Sequence, residues 1–317
     1  MTDFSPLDSN QDASRREPAT PCLFWLTDFG QKDGYVGVMK AVVMKLLAKH
    51  ATNIPVAMPV TMIDVSHDIP AFDIRSGAWV LERLLPYAPN QSVFVCIVDP
   101  HVGSPEQLPL ALYCPQKAWV FLAPDNGLLT PVIDYLTDLG LVWQAYPLDK
   151  PVLDKLLGVA ENTVSVTFHG RDIYSPIAAW ALTYLRDSKG PFGEVFTEDR
   201  ENHCQPVVFE NWQASHQIVY IDHFGNVMTR LSPDDWSDSP VPGQQYLVKL
   251  RNGTFSFRWV RHYQEDHTKE VVGLWGSHGY LEWACPSGNA AMFLKDHFGL
   301  SLLPGQSFTL EKQELGN

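Results

Sequence analysis

The first two thirds of the chain alternate between short apolar runs and segments with apolar residues at helical spacing. The run Val93–Val98 consists of six apolar or small residues, and Pro100 and Gly103 follow it. Such a run is typical of a strand buried on both faces, in the middle of a parallel sheet. Further strands are predicted over 22–26, 61–65, 110–114, 118–122, 142–146 and 162–167, and helices over 35–50, 72–85, 127–136 and 173–185. This alternation predicts an α/β layered domain with a mostly parallel sheet.

The composition changes between residues 187 and 205, where Gly, Pro, Asn and acidic residues accumulate. Such a stretch is typical of a domain boundary. Beyond it the pattern predicts a smaller, mostly β domain, with strands over 217–221, 227–231, 245–251, 254–260, 280–284 and 307–310 and a helix over 290–298. The domain plan is therefore a flexible polar tail over 1–20, an α/β domain over 21–190 and a β domain over 205–317.

Composition and charge exclude several classes of protein. The 317 residues carry a net charge of -13, which disfavours nucleic acid as a partner. No apolar run approaches the roughly 18 residues that cross a bilayer, so no membrane association is predicted. The five cysteines are scattered and form no C-x-x-C pair, which favours a reducing cytoplasm over a disulfide framework or a zinc site.

Polar side chains follow the predicted strands of the first domain, namely Asp28, His67, Asp99, Asp125 and His169. Each alone is explained by a helix cap or a turn. Together they indicate a site, because the carboxyl ends of parallel strands meet at one edge of a sheet. Several are metal-ligand types, but none has a local metal-binding spacing, so no metal is predicted. In the second domain, the segments 222–226 and 276–282 are polar clusters that turns between strands would also explain.

Taken in order, these blocks resemble a known family. The motifs are Thr27-Asp28-Phe29-Gly30, Val98-Asp99-Pro100-His101-Val102-Gly103, Pro124-Asp125-Asn126-Gly127, Phe168-His169-Gly170-Arg171-Asp172, Asp222-His223-Phe224-Gly225-Asn226 and Ser277-His278-Gly279-Tyr280-Leu281-Glu282. They are similar to those of the S-adenosyl-L-methionine (SAM) hydroxide adenosyltransferase family, which includes SAM hydrolases and the SAM-dependent fluorinases and chlorinases. The resemblance covers about residues 22–300.

The resemblance implies a fold, an assembly and a reaction. The α/β domain would bind SAM, and the C-terminal domain would be a β-barrel. The assembly would be a homotrimer, with SAM held between the first domain of one copy and the second domain of its neighbour. In the hydrolases, water attacks the 5′ carbon of SAM and yields adenosine and L-methionine. SAM is then the substrate, and no cofactor is implied.

The resemblance also assigns residues. Asp99 and His169 match the catalytic Asp and His of the hydrolases. Asp28 would hold the ribose hydroxyls. Asp222, Asn226 and Ser277 would hold the methionine end of SAM, and Tyr280 would be a further substrate-binding residue.

The chain departs from the family pattern just after Asp99. His101 stands where Gly is usual, and residues 104–109 lack the expected Arg. Three possibilities remain open: His101 takes over part of the orienting role, an Arg from elsewhere in the chain or from a neighbouring subunit reaches in, or the chain binds an adenosyl ligand with little turnover. His101 is included among the catalytic candidates, and an exposed turn residue is the alternative interpretation of it.

The leading prediction is a SAM hydrolase. The alternatives are a SAM- or adenosine-binding protein with weak or no catalysis, a SAM-dependent halogenase and, last, a metal-dependent hydrolase. Halogenases differ from this chain at the Asp99 position and carry an insertion in the first domain that is absent here, and both differences favour water over halide.

Overall fold

The computed structural model describes residues 20–51, 59–157, 164–187, 203–236 and 239–313. The predicted tail and most of the predicted boundary at 187–205 therefore lie outside the described residues. The N-terminal strands are β1 (Cys22–Thr27), β2 (Thr61–Ser66), β3 (Ser92–Ile97), β4 (Pro109–Cys114), β5 (Trp119–Pro124) and β6 (Gln144–Pro147). The helices are α1 (Tyr35–Ala51), α2 (Ile74–Leu84), α3 (Thr130–Asp138), α4 (Lys150–Leu157) and α5 (Ser175–Asp187).

The N-terminal sheet is mostly parallel, as the alternation of strands and helices predicts. Its strand order is β2-β1-β3-β5-β4-β6. β1 pairs in parallel with β2 and β3, and β3 pairs in parallel with β5. β4 is antiparallel to both of its neighbours, and its pairing with β5 follows from the short turn that joins them.

Helices cover both faces of this sheet. Every residue of β3 is buried, and its side chains alternate between two hydrophobic cores. Val93 and Val95 pack into the core that includes residues of α1 and α5, and Phe94 and Cys96 into the core that includes residues of α2 and α3. Burial on both faces explains why the strand is continuously apolar instead of alternating.

Helix α2 begins two residues later than the hydrophobic pattern predicts. The Asp73 side chain accepts hydrogen bonds from the Ser76 backbone N (3.0 Å) and the Ser76 hydroxyl (2.6 Å), which makes Asp73 the N-cap. Phe72 has a φ of 68°, in the left-handed region, so it cannot belong to the helix.

The C-terminal part is a curled sheet with one helix. Its strands are β7 (Ile218–Ile221), β8 (Val227–Thr229), β9 (Gln245–Leu250), β10 (Gly253–Trp259), β11 (Val272–Trp275), β12 (Leu281–Ala284) and β13 (Phe308–Lys312), and α6 spans Ala290–Phe298. The strand order is β13-β9-β10-β11-β12-β8-β7. Backbone bonds from Ile218 N to Gln306 O (2.8 Å) and from Phe308 N to His216 O (3.0 Å) bring the two edges together. The sheet therefore curls around its own apolar core and has the shape of a half-barrel.

The two parts are joined by a buried ion pair. Arg230, directly after β8, donates to both carboxylate oxygens of Glu82 on α2, at 2.7 and 2.8 Å. Its side chain is only 2% exposed and lies against the rings of Trp79 and Trp212.

The predicted strand over 162–167 is wrong for the residues that the structure describes. Residues 164–168 form turns instead. The Thr167 backbone N donates to the Ser165 hydroxyl (3.2 Å), and the two hydroxyl groups lie 3.1 Å apart. Local bonds of this kind compete with a strand ladder. The hydrophobic pattern also missed α4 and β11.

None of the described helices is long and apolar enough to cross a membrane.

Candidate active site

Two carboxylates meet at the carboxyl edge of the N-terminal sheet. Asp28 comes directly after β1, and Asp99 is the second residue after β3. The register of the two strands pairs Thr27 with Ile97. Burial raises the pKa of Asp28, and the charge of Asp99 raises it further, against the opposing hydrogen bond from the Phe72 backbone N. The two acidic groups therefore act on one another at the place where open α/β sheets bind ligands.

The loop after β3 folds back onto Asp99. Ser104 N donates to His101 O (2.9 Å) and Gln107 N donates to Ser104 O (3.4 Å), so two successive turns reverse the chain. The Gln107 side-chain amide then donates to Asp99 Oδ1 at 2.7 Å. The His101 backbone N donates to the same oxygen at 3.1 Å, while residue His101 itself is exposed. Within the described parts of the chain, no Arg side chain bonds to Asp99.

His169 lines a cavity of about 420 Å³ together with Gln107, the residue that bonds to Asp99. Burial lowers the pKa of His169 below the ordinary value of 6.5, and the charges of Asp99 and Asp172 oppose that shift. A π-helical turn, Gly170–Tyr174, follows it directly, and such turns are frequent at functional sites. The hydroxyl of Tyr174 is buried without a hydrogen-bond partner in the described structure. The imidazole is therefore held neutral near pH 7, beside a carboxylate that can attract a proton.

The segment before His169 is held in place by Gly103 and Asp172. Gly103 has a φ of 83°, and a Cβ there would lie 2.4 Å from the Val166 carbonyl oxygen. Asp172 accepts from Ser165 N (2.8 Å) and pairs with Arg171 (2.6 Å), and the Arg171 bond lowers the pKa of Asp172. The Asp99 loop and the His169 segment are thus packed directly against each other.

A buried histidine holds the backbone of the Asp28 turn. His67 Nδ1 lies 2.8 Å from the Thr27 hydroxyl, its Nε2 lies 3.1 Å from Asp64, and its carbonyl oxygen accepts from Gly30 N (2.7 Å). Both ring nitrogens of His67 thus face partners within the protein. The described residues contain no cluster of three or more side chains able to hold a metal ion.

Phe72 is a site residue that sequence reasoning missed. Its backbone N donates to Asp28 Oδ2 at 2.8 Å, and its side chain is 67% exposed. The left-handed backbone is strained for a bulky residue, and such strain is concentrated at functional sites. The sequence signal that could have identified Phe72 is its place directly before Asp73, the N-cap of α2.

The Asp125-Asn126 block fastens neighbouring segments together. Asn126 Nδ2 donates to Val98 O (2.9 Å), and Asp125 accepts from Val207 N (2.7 Å). These contacts fix the strand end that carries Asp99 and fit the turn interpretation of this block.

Asp222 and Asn226 lie together in a tight turn of the C-terminal part. Asp222 accepts from the backbone N (2.8 Å) and the side-chain amide (3.1 Å) of Asn226. Gly225 has a φ of 83°, and a Cβ there would lie 2.1 Å from the Asn289 side chain. Glycine is thus required where this turn meets α6.

Ser277 lines a cavity of about 500 Å³ between the two parts, together with Trp79, Arg83 and His278. His278 Nε2 lies 3.3 Å from Glu282, which also accepts from the Tyr263 hydroxyl (2.5 Å). The ring of Tyr280 packs against Trp79 at 5.9 Å between centroids.

The predicted site residues fall into two groups. The first contains Asp28, Asp99 and His169 at the edge of the N-terminal sheet. The second lies in the C-terminal part, with Asp222 and Asn226 in the turn before β8 and Ser277 and Tyr280 in the turn before β12. Across the described ranges, no hydrogen bond, ion pair or ring contact joins the two groups. A ligand that contacts residues of both groups must therefore span the space between them.

Comparison with known proteins gives consistent matches over both parts. The family model of the SAM hydroxide adenosyltransferase N-terminal domain matches residues 23–187, and that of the C-terminal domain matches residues 216–301. The chain is 32% identical to the (R)-S-adenosyl-L-methionine hydrolase of Thermus thermophilus, covering 89% of this chain and 99% of the relative. It is 29% identical to the hydrolase of the same name from Methanocaldococcus jannaschii, covering 84% and 89%.

More distant similarity extends to a halogenase and to a solved structure. Identity to the fluorinase of Actinoplanes sp. is 24%, over 75% of this chain and 80% of the relative. The crystal structure of an uncharacterized conserved protein from Thermotoga maritima superposes with a TM-score of 0.68 at 26% identity, covering 91% of this chain and 99% of that one. Because both family models match and together cover most of the sequence, the chain belongs to the SAM hydroxide adenosyltransferase family.

Proposed function

We propose that this protein hydrolyses SAM at the 5′ carbon of the ribose, forming adenosine and L-methionine. The observation that carries the proposal is the placement of Asp99 and a neutral His169 together, at the sheet edge that also presents Asp28. Relatives named (R)-S-adenosyl-L-methionine hydrolase, at 29% and 32% identity, support the same reaction.

The chemistry asks little of the protein beyond positioning and proton transfer. The oxygen of water forms a bond to C5′ while the C5′–S bond breaks, and the sulfonium leaves as the neutral thioether of methionine. No general acid and no cofactor are needed for that leaving group. Water is a poor nucleophile, so Asp99 orients it and draws its proton, and the neutral imidazole of His169 is a second acceptor.

Asp28 holds the ribose in this proposal. A carboxylate can accept from two hydroxyl groups at once, and the bond from Phe72 N leaves its second oxygen for the ligand. The carboxylates of Asp28 and Asp99 also complement the positive charge of the sulfonium.

The same charges favour water over halide as the nucleophile. A halide ion needs no base, and it would be repelled by a carboxylate in a partly desolvated site. Asp99 and Asp28 act on each other electrostatically, so an anion entering between them would meet two like charges.

The methionine end of SAM is held by Asp222, Asn226, Ser277 and Tyr280 in this proposal, and the working unit is a cytoplasmic homotrimer. No contact joins these residues to the Asp99 group within the described parts of one chain, which supports a site shared between copies. A second copy in a closed ring brings the C-terminal group of one chain to the N-terminal group of the next.

The test of the reaction is to incubate the purified protein with SAM and follow adenosine and methionine by chromatography. We expect equimolar products and loss of most of the activity in Asp99→Asn. Tight SAM binding by calorimetry without products would favour the binding-protein alternative, and 5′-halo-adenosine formed in chloride or fluoride would favour the halogenase.

The shared site is tested by mixing two inactive variants. Asp99→Asn damages the first group and Asp222→Ala the second. Co-expressed chains would recover about a quarter of the wild-type activity, because random mixing in a ring joins two intact halves at about one interface in four. Activity that stays at the level of the separate variants would place the whole site within one chain.

A further inference from the structure

The side chain that holds Asp99 is a neutral amide. Gln107 Nε2 donates to Asp99 Oδ1 at 2.7 Å, and the His101 backbone N donates to the same oxygen at 3.1 Å. Both donors bond one oxygen of the carboxylate, so they fix its rotation and leave its other oxygen free of them. A carboxylate that must direct one oxygen at a water molecule needs this kind of constraint.

The position of Gln107 is built into the fold. Glu106 N donates to the Ser104 hydroxyl (3.3 Å) and Asp125 N donates to Leu108 O (3.1 Å), on either side of Gln107. The next residue but one begins β4, which is buried in the sheet. Gln107 is thus presented from an anchored segment, eight residues after the carboxylate that it contacts.

The groups that act electrostatically on or around Asp99 are Asp28, His169 and Tyr174. Asp28 is acidic, and burial favours the neutral forms of His169 and Tyr174. The nearby cation Arg171 is paired with Asp172. Gln107 therefore orients Asp99 without neutralising it, whereas a guanidinium at that place would do both.

We infer that Gln107 is the positioning residue for Asp99, and that its neutrality keeps the site anionic toward a cationic adenosyl donor. This inference rests on the proposed function for its kinetic consequences, but the contact itself is testable without turnover. Gln107 acts through Asp99 and does not touch the reacting atoms.

Three variants separate orientation from charge. Gln107→Leu removes the donor at similar size, and we expect kcat to fall roughly 10- to 100-fold with KM nearly unchanged. Gln107→Arg keeps a donor and adds a cation, and we expect kcat within a few-fold of wild type, a higher KM for SAM, and an acid limb of the pH–rate profile that moves to lower pH. Glu106→Gln, an exposed change one residue away, is the matched control and should alter neither parameter.

The second readout is the titration of Asp99 followed by carbon NMR of the carboxyl group, assigned with Asp99→Asn. The titration midpoint should rise in Gln107→Leu, fall in Gln107→Arg and stay in place in Glu106→Gln. A midpoint unchanged in folded Gln107→Leu and Gln107→Arg overturns the inference, as does wild-type kcat in Gln107→Leu. If the wild type forms no adenosine while the midpoints move as stated, the proposed function fails and the positioning contact stands.

Discussion

Among the individual residues, His169 connects its environment to the chemistry most directly. Its pKa is lowered from 6.5 chiefly by burial, so the imidazole remains uncharged as the pH falls through its ordinary value. An activity that needs a neutral imidazole is then retained below pH 6.5 and lost only as the pH falls through the lowered pKa.

We therefore predict that, as the pH is lowered, kcat/KM shows no loss centred at or above pH 6.5. His169→Asn should lower kcat about 100-fold or more, since it removes a proton acceptor. A pH–rate profile of the wild type and the variant checks both statements. A loss of wild-type activity on acidification that is centred above pH 6.5 would contradict the role of a neutral His169.

Asp28 has the complementary role of binding. Asp28→Asn keeps an acceptor for the Phe72 amide but removes the charge, and a hydrogen bond to a charged group contributes about 1.5–3 kcal/mol. We predict that adenosine binds about tenfold more weakly or worse, measured by calorimetry. Asp138→Asn, an exposed change at the end of α3, is the control and should bind as the wild type does.

At the scale of elements, the contact between the Asp99 loop and the His169 segment decides whether the two groups meet. Gly103→Ala would force a Cβ to within 2.4 Å of the Val166 carbonyl oxygen. Gly243 has a similar φ of 88°, but nothing lies within 4 Å of the position that a Cβ would take there, so Gly243→Ala carries the same backbone strain without the clash.

We predict that both glycine variants lose stability, by about 1–2 kcal/mol from the left-handed backbone, and that Gly103→Ala also loses most of its kcat. Thermal unfolding and steady-state kinetics measure the two effects. Equal activity in the two variants would show that the loop contact does not position the site.

Elements with strong periodicity were predictable from the sequence, and elements set by local polar bonds were not. Helix α6 was predicted with the bounds observed, because Asn289 caps its start and Gly299, at a φ of 68°, ends it. The strand predicted over 162–167 is wrong over its described residues, 164–167, because Ser165 and Thr167 bond to each other locally. β11 contains Gly273 within its four residues, and glycine is depleted in strands, so the apolar pattern is interrupted there.

The candidate site divides in the same way. Asp28 and Asp99 follow strands whose order the alternation implies, so their meeting was predictable. Gln107 was not, because its contact depends on two consecutive turns that the sequence does not specify. The sequence pattern pointed to an Arg or to His101 to hold Asp99; within the described residues of one chain, the Gln107 amide and the His101 backbone N bond to this carboxylate, and an Arg from a neighbouring subunit stays a prediction.

For the whole molecule, the Glu82–Arg230 pair fixes the C-terminal half-barrel to α2. Removing one partner of a buried ion pair leaves the other charge uncompensated, at a cost of about 3–5 kcal/mol. We predict that Glu82→Gln lowers the free energy of unfolding by that amount. Glu311→Gln, which breaks the exposed pair with Lys249, should cost less than about 1 kcal/mol. Denaturant unfolding of both variants checks the difference, and equal losses would refute the role of the buried pair.

In the proposed reaction, water is the nucleophile and C5′ is the carbon attacked. The most direct measurement is to run the reaction with SAM in ¹⁸O-labelled water and to analyse the adenosine by mass spectrometry. We expect one ¹⁸O atom per adenosine, on the 5′ oxygen, and unlabelled methionine. Unlabelled adenosine, or no adenosine above the uncatalysed rate from folded protein, would contradict it.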